Sequence, residues 1–218
     1  MKLNNMQGMR YPSDTVIRMF YKEGLPSISN GKMLELGCGS GNHLMLFASY
    51  GWHVTGLDYN PESLKMSAHN LGLMGNKATL IEHDLNISLP SFEAVYDVLL
   101  APSSLYYVSR EAATQRLKEI NSHLKTGALV YLRMRLPDDH RFGRGAFAGR
   151  SAWILNTDYT GEFGLLNVFW TEHELIDVLD ETLGIPADSL TILRMTYENV
   201  QGSMITRNSD IVMWGRKS

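Results

Sequence analysis

The sequence predicts a doubly wound α/β fold: a seven-stranded, mainly parallel sheet with an antiparallel last strand and helices on both faces. Three observations predict it. From Lys32 onward, short apolar runs alternate with amphipathic segments, the pattern of a parallel sheet covered on both sides. Val95 to Ala101 is almost continuously apolar, as a strand buried on both faces must be. The last two apolar runs are separated by a polar stretch containing Gly202 and Asn208, which reads as a hairpin and therefore an antiparallel pair.

The elements follow in order. Tyr11 to Glu23 reads as a leading helix with Val16, Ile17 and Phe20 on its apolar side. Met33 to Leu36 is the first strand and runs into a glycine cluster. His43 to Tyr50 is a helix stopped by Gly51. Val54 to Leu57 is the second strand, ending at Asp58. Asn60, Pro61 and Glu62 then form an N-cap, a first-turn proline and a first-turn acid, opening a helix with Leu64, Ala68 and Leu71 inward. Thr79 to Ile81 is the third strand, ending at Asp84. Ser109 caps a helix whose inner face is Ala113, Leu117, Ile120 and Leu124. Leu129 to Met134 is the fifth strand. Thr171 and Glu174 form a capping box over a helix with Leu175, Val178, Leu179 and Leu183 inward, ended by Gly184. Thr191 to Tyr197 and Asp210 to Trp214 are the closing strands. Pro137 to Trp170 falls outside the alternation and reads as a long loop, glycine-rich and aromatic-rich, of the kind that serves a site.

At 218 residues the chain suits one α/β domain. Its expected divisions are a leading segment to residue 31, a ligand-binding half over 32–135, a lid-like insertion over 136–170 and a closing helix and strands over 171–218. A net charge of −3 and a pI near 6.2 leave no basic stripe, which argues against a nucleic-acid partner. One cysteine, Cys38, excludes an internal disulfide and a cysteine-based zinc cluster, so no metal site is expected and a reduced, cytoplasmic setting is the simplest expectation. The first ten residues lack the apolar core of a signal peptide, and no run reaches the roughly 18 apolar residues of a membrane span. Oligomeric state is not legible.

The chemistry-bearing stretch is Glu35-Leu36-Gly37-Cys38-Gly39-Ser40-Gly41, between the first strand and its helix. Glycines on alternate positions let the backbone turn sharply and approach a ligand. The helix behind them, opened by Asn42 and His43, offers free N–H groups suited to a carboxylate. Asp58, at the end of the second strand, suits the two hydroxyls of a ribose. A dinucleotide fingerprint needs its third glycine where Asn42 stands.

This motif resembles the acidic-x-Gly-x-Gly-x-Gly signature of class I, Rossmann-like, S-adenosylmethionine-dependent methyltransferases, and the match runs from about Met33 to Arg135. The resemblance implies S-adenosylmethionine as cofactor. It implies that Glu35 holds the glycine loop and, through water, the methionine amine, and that Gly37, Cys38, Gly39, Gly41 and Asn42 line the cofactor. Asp58 takes the ribose hydroxyls and Tyr59 packs on adenine. Asp84 accepts from the adenine amino group, with the Leu85 N–H on a ring nitrogen. Ala101, Pro102 and Ser103 border the methionine portion and the acceptor. Asp84 is equally good turn chemistry before Leu85 and Asn86; Cys38 reads as buried structure rather than a nucleophile; His43 reads as a helix-start group and His83 as local packing.

Past the fourth strand, Ala101-Pro102-Ser103-Ser104-Leu105-Tyr106-Tyr107 departs from the Asn/Asp-Pro-Pro-aromatic run of enzymes that methylate nucleic-acid amino groups. The sequence looks more like the small-molecule branch, and the expected function is methyl transfer to a small-molecule acceptor. The alternatives are a protein or RNA acceptor, or a non-catalytic cofactor-binding protein. No catalytic residue is marked; His140 is the base candidate by location, against a surface histidine, and Tyr106 is an acceptor contact or core. Arg133 and Arg135 share a face at the end of the fifth strand. Arg141, Arg144 and Arg150 follow among glycines. They suit an anionic acceptor, against the reading of a solvated basic loop. Tyr11, Tyr106, Arg135, Arg141 and Arg144 are the candidate substrate contacts, with the leading helix and the insertion expected to cover the site. His173, in the capping box, is expected at the surface.

Overall fold

The computed structural model describes residues 3–156 and 161–218. Strands β1 (Lys32–Leu36), β2 (His53–Asp58), β3 (Thr79–Glu82), β4 (Tyr96–Pro102) and β5 (Leu124–Arg135) run parallel. β6 (Ala146–Gly149), β7 (Ala152–Ile154) and β8 (Leu166–Val168) form a separate antiparallel sheet in the order β6-β7-β8. β9 (Thr191–Gln201) and β10 (Met204–Arg216) close the main sheet, whose order is β3-β2-β1-β4-β5-β10-β9. β10 is antiparallel to both neighbours, so it alone runs against the other six. The order reverses between β1 and β4, which places the ligand crevice at their carboxyl ends.

Among the described residues, five α-helices pack on the main sheet: α1 (Asp14–Lys22), α2 (Asn42–Ser49), α3 (Pro61–Leu73), α4 (Arg110–Asn121) and α5 (Glu172–Leu183). Side chains of a strand alternate between faces, and the core divides accordingly. Leu34, Leu36, Leu99, Ala101, Val130 and Leu132 meet Ala113, Leu117 and Ile120 of α4 and Leu175, Leu179 and Leu183 of α5. Met33, Val98, Leu100, Leu129 and Tyr131 meet Val16, Met19 and Phe20 of α1 and Leu44 and Phe47 of α2. Helix ends follow the expected chemistry. Asn60 accepts from the Glu62 N–H and Ser109 from the Ala112 N–H. Thr171 and Glu174 cap α5 reciprocally, and Gly184 ends it in the left-handed region.

Four expectations are corrected. The inner face of α3 is Leu64, Ser67, Asn70 and Leu71, with Ala68 exposed. Polar groups take that face because Asn70 exchanges bonds of 2.8–2.9 Å with the Gln7 backbone and donates to the Ser40 carbonyl at 3.0 Å. Leu124 opens β5 rather than ending α4. The closing hairpin is longer than expected, because the β9–β10 ladder continues past the end of β5. The insertion is not a structureless loop: it holds β6, β7 and β8, with Phe142, Trp153 and Phe169 in mutual ring contact beneath them. Among the described residues, no helix is long and apolar enough to cross a membrane.

Candidate functional site: a cavity at the strand ends

At the carboxyl ends of β1, β2 and β4 lies a cavity of about 610 Å³, within the range of small-molecule sites. Its floor is the glycine turn after β1. Gly37, Gly39 and Gly41 have φ of 73°, 54° and 79°, a region that costs any residue with a Cβ roughly 1–2 kcal/mol. The three glycines differ in their surroundings. A Cβ on Gly37 would lie 2.5 Å from that of Ser104, and one on Gly41 2.3 Å from Ser67 Oγ, whereas one on Gly39 would meet none of the described residues within 4 Å. Gly37 therefore lets β1 and β4 close together, and Gly39 leaves open space above the turn.

Asp58 fastens this floor. Its Oδ2 accepts from the Gly39 N–H at 2.8 Å and its Oδ1 from the Asn60 N–H at 2.9 Å. Each carboxylate oxygen keeps a further lone pair. Tyr59, His83, Asp84, Leu85 and Asn86 continue the wall. Asp84 Oδ1 accepts from the Asn86 backbone and side chain, so the turn chemistry and the place on the wall are both present. At the other end Ser103 has φ of 73° and a Ser103 N–H to Ala101 carbonyl bond of 3.1 Å. That is a tight, strained turn of the kind that gathers at functional sites. Ser104, Tyr107, Val108, Gly161, Glu162, Leu165 and Leu166 complete the enclosure.

A family model of the methyltransferase domain matches residues 33–127. The chain thus carries, over that segment, a methyltransferase domain. Its fold is shared with solved structures of low identity. A SAM-dependent methyltransferase from Methanosarcina mazei is 21% identical, with 95% of this chain and 98% of that one covered at a TM-score of 0.67. TehB from Haemophilus influenzae is 16% identical at a TM-score of 0.64; the alignment covers 95% of this chain but spans only 63% of TehB. Magnesium protoporphyrin IX methyltransferase from Synechocystis PCC 6803, solved with bound SAM, is 15% identical at 0.59, over 94% and 77% of the two chains. A comparison with curated proteins finds no match.

The cavity wall takes in Gly37, Asp58, Tyr59, Asp84, Leu85 and Ser103 of the residues expected at the cofactor. Glu35 lies beneath. It is buried, His43 Nδ1 is 2.7 Å from its Oε1, and its Oε2 has no partner among the described residues. Burial pushes its carboxyl above the ordinary range, against the opposing pull of His43. His43 stands in the first turn of α2, as expected, but its ring does not cap the helix; it bridges Glu35 and Ser13. The Ser13 N–H donates to its Nε2 at 3.2 Å, which leaves the proton on Nδ1, facing Glu35. Asn42 donates to the Tyr11 carbonyl at 2.9 Å, and Ser40 exchanges bonds with the Met9 backbone. The N-terminal segment therefore braces the glycine turn from behind instead of covering the cavity. Tyr11 is largely exposed and borders no part of the wall. Cys38 is buried and its thiol is pushed well above the usual range, consistent with structure rather than nucleophilicity. Ala101 is core and Pro102 half-buried behind Ser103.

The acceptor-side candidates are rearranged. Tyr106 is buried under the Arg135 guanidinium, 4.2 Å from ring to cation, and its neighbour Tyr107 faces the cavity. Arg133 pairs with Asp210 at 2.5 Å. Arg135 and Arg141 converge on Glu162, each at 2.6 Å, and Arg141 also pairs with Asp139 at 3.0 Å. Arg150 pairs with Glu174, and Arg144 is exposed and off the wall. His140 also lies off the wall, its Nδ1–H donating to the Arg207 carbonyl at 3.0 Å; burial, then the Arg141 cation, lower its pKa. His173 is exposed as expected. The insertion meets the cavity through Gly161 to Leu166, not through its Gly143–Gly149 tip. Glu162 and Tyr107 carried no sequence signal of their own.

Proposed function

We propose that this methyltransferase moves a methyl group from S-adenosylmethionine to a small-molecule acceptor inside the cavity. The observation behind this reading is the enclosure itself: one continuous space runs from Asp58 and Asp84 to Ser103, Tyr107 and the insertion loop. Bound S-adenosylmethionine supplies a methyl group on a sulfonium. The chain's residues bind it, orient it and keep water out. Asp58 has the lone pairs to accept both ribose hydroxyls, and Tyr59, two-thirds exposed, offers its ring to adenine. Asp84 and the Leu85 N–H suit the adenine edge. The open space over Gly39, with Gly41 and the start of α2, suits the methionine end; the unpartnered Glu35 Oε2 reaches the amine only through water. Ser103 stands between cofactor and acceptor.

Arg135 and Arg141 were the reason to expect an anionic acceptor, and both are paired with Glu162. The proposal therefore retains the small molecule and not the anion. The test is incubation with methyl-labelled S-adenosylmethionine and a cell extract separated into small molecules, protein and RNA. Label should enter the small-molecule fraction; label confined to protein or RNA would contradict the reading.

A further inference from the structure

We propose that the acceptor is an uncharged or cationic molecule bearing an N–H or O–H, selected by Tyr107 and Glu162. The inference rests on the small-molecule reading and deepens it. The charged side chains on the cavity wall, among the described residues, are Asp58, Asp84 and Glu162, with no lysine or arginine. Thr157 to Thr160, outside the described residues, contain no basic group in sequence either. Of the three carboxylates, Glu162 is the one at the acceptor end, beside Ser104 and Tyr107.

Glu162 is fixed there from behind. Its Oε1 accepts from Arg135 Nη2 at 2.6 Å and from the Tyr107 hydroxyl at 2.5 Å; its Oε2 accepts from Arg141 Nε at 2.6 Å. Arg135 is buried against the rings of Tyr106 and Tyr107, 4.2 and 5.6 Å away, and lies behind the wall formed by Tyr107 and Glu162. The two guanidinium groups and the tyrosine outweigh desolvation and hold the Glu162 carboxyl at about 2, so it is ionised at neutral pH. Tyr107 spends its one proton on Glu162. Its oxygen can then only accept, and an acceptor N–H or O–H is what satisfies it. A carboxylate or phosphate in the same place would find no donor on Tyr107 and would face the Glu162 charge.

In the transfer, the acceptor lone pair forms the bond to the methyl carbon while the methyl–sulfur bond breaks and leaves its electron pair on sulfur. The acceptor's proton goes to water. Glu162, held ionised by its cations, is too weak a base to take it.

The experiment fractionates a small-molecule extract by charge at pH 7 before the reaction. Cationic, neutral and anionic pools are each offered to the full chain with labelled S-adenosylmethionine. Incorporation should come from the cationic or neutral pool. Incorporation from the anionic pool alone would overturn the inference, because it would mean that an acceptor anion replaces Glu162 on Arg135 and Arg141. No incorporation from any pool, with label entering protein or RNA, would instead remove the small-molecule reading. Glu162→Gln should raise the anionic-to-cationic incorporation ratio at least tenfold. Tyr107→Phe, which leaves the Glu162 charge in place, should keep the ratio and raise the acceptor KM about tenfold. A ratio unchanged in a folded Glu162→Gln, or a KM unchanged in Tyr107→Phe, would count against the assignment.

Discussion

The two ends of the cavity are made of different material. The proposed cofactor end is backbone. Left-handed glycines 37, 39 and 41 shape it, and Asp58 pins it through the N–H groups of Gly39 and Asn60. The proposed acceptor end is side chain: Arg135 from β5, Tyr107 from the turn after β4, and Arg141 and Glu162 from the insertion, 21 residues apart. A backbone site is specified by residue types that have no substitute locally. A side-chain site is specified by pairing, so any one member can be read only when its partner is known. The first end should therefore fail by losing ligand while the fold persists, and the second by loosening structure and selectivity together.

The largest expected effect is on the backbone side. Gly39→Val places a branched side chain at φ 54° in space that none of the described residues fills. S-adenosylmethionine affinity should fall more than about a hundredfold, while the circular dichroism spectrum stays that of the parent, because strain of roughly 1–2 kcal/mol is tolerable in a chain of this size. Normal binding would mean that the open space above Gly39 is not the cofactor's.

On the side-chain side, Glu162→Gln leaves Arg135 buried without its carboxylate. Breaking a buried pair costs about 3 kcal/mol, which should lower Tm by roughly 6–12 °C at pH 7. The gap between parent and variant has a pH signature. Glu162 has a folded pKa lowered from 4.5 to about 2, so its contribution is complete above pH 4.5 and disappears as pH falls through about 2. Thermal melts at pH 7, 4 and 2 should show the gap narrowing in that order; a gap that widens toward acid would refute the ion-pair account.

Removing the tip, Gly143 to Gly149, takes away β6, the outer strand of the small sheet, but none of the residues on the wall. Cofactor affinity should stay within a few-fold, and acceptor turnover should fall less than in Glu162→Gln. A smaller effect still is expected from Tyr106→Phe. The lost hydroxyl makes a single 3.4 Å contact with Arg135, and the ring that carries the cation remains. Steady-state constants within about threefold would match. A large fall in turnover would return Tyr106 to the acceptor site.

The same contrast explains what was legible in the sequence. The alternation, the glycine turn and the Asn60, Ser109 and Thr171 caps all act within a few residues, so their pattern reveals them, and Asp58 and Asp84 are marked by their place just after an apolar run. Ala68 was misplaced because Asn70 is turned inward by Gln7, 63 residues away. The bridge made by His43 was missed because its partners, Ser13 and Glu35, flank it from different elements. Tyr106 and Tyr107 are adjacent, and which of them faces the cavity depends on the short turn at Leu105–Tyr107. Glu162 was missed because nothing near it in the chain distinguishes a loop acid from a latch; Arg141, Arg135 and Tyr107, which are 21, 27 and 55 residues earlier, do. The insertion's strands were hidden by its glycines, several of which sit at positive φ between short strands.

The central claim is that the cofactor lies on the glycine turn with its ribose on Asp58. Isothermal titration of S-adenosylmethionine into the parent chain and into Asp58→Ala tests it most directly. Hydrogen bonds to a charged acceptor contribute about 1.5–3 kcal/mol each. The parent should therefore bind one equivalent, and the folded variant should bind at least about tenfold more weakly. Equal affinities, with both proteins folded, would contradict the account.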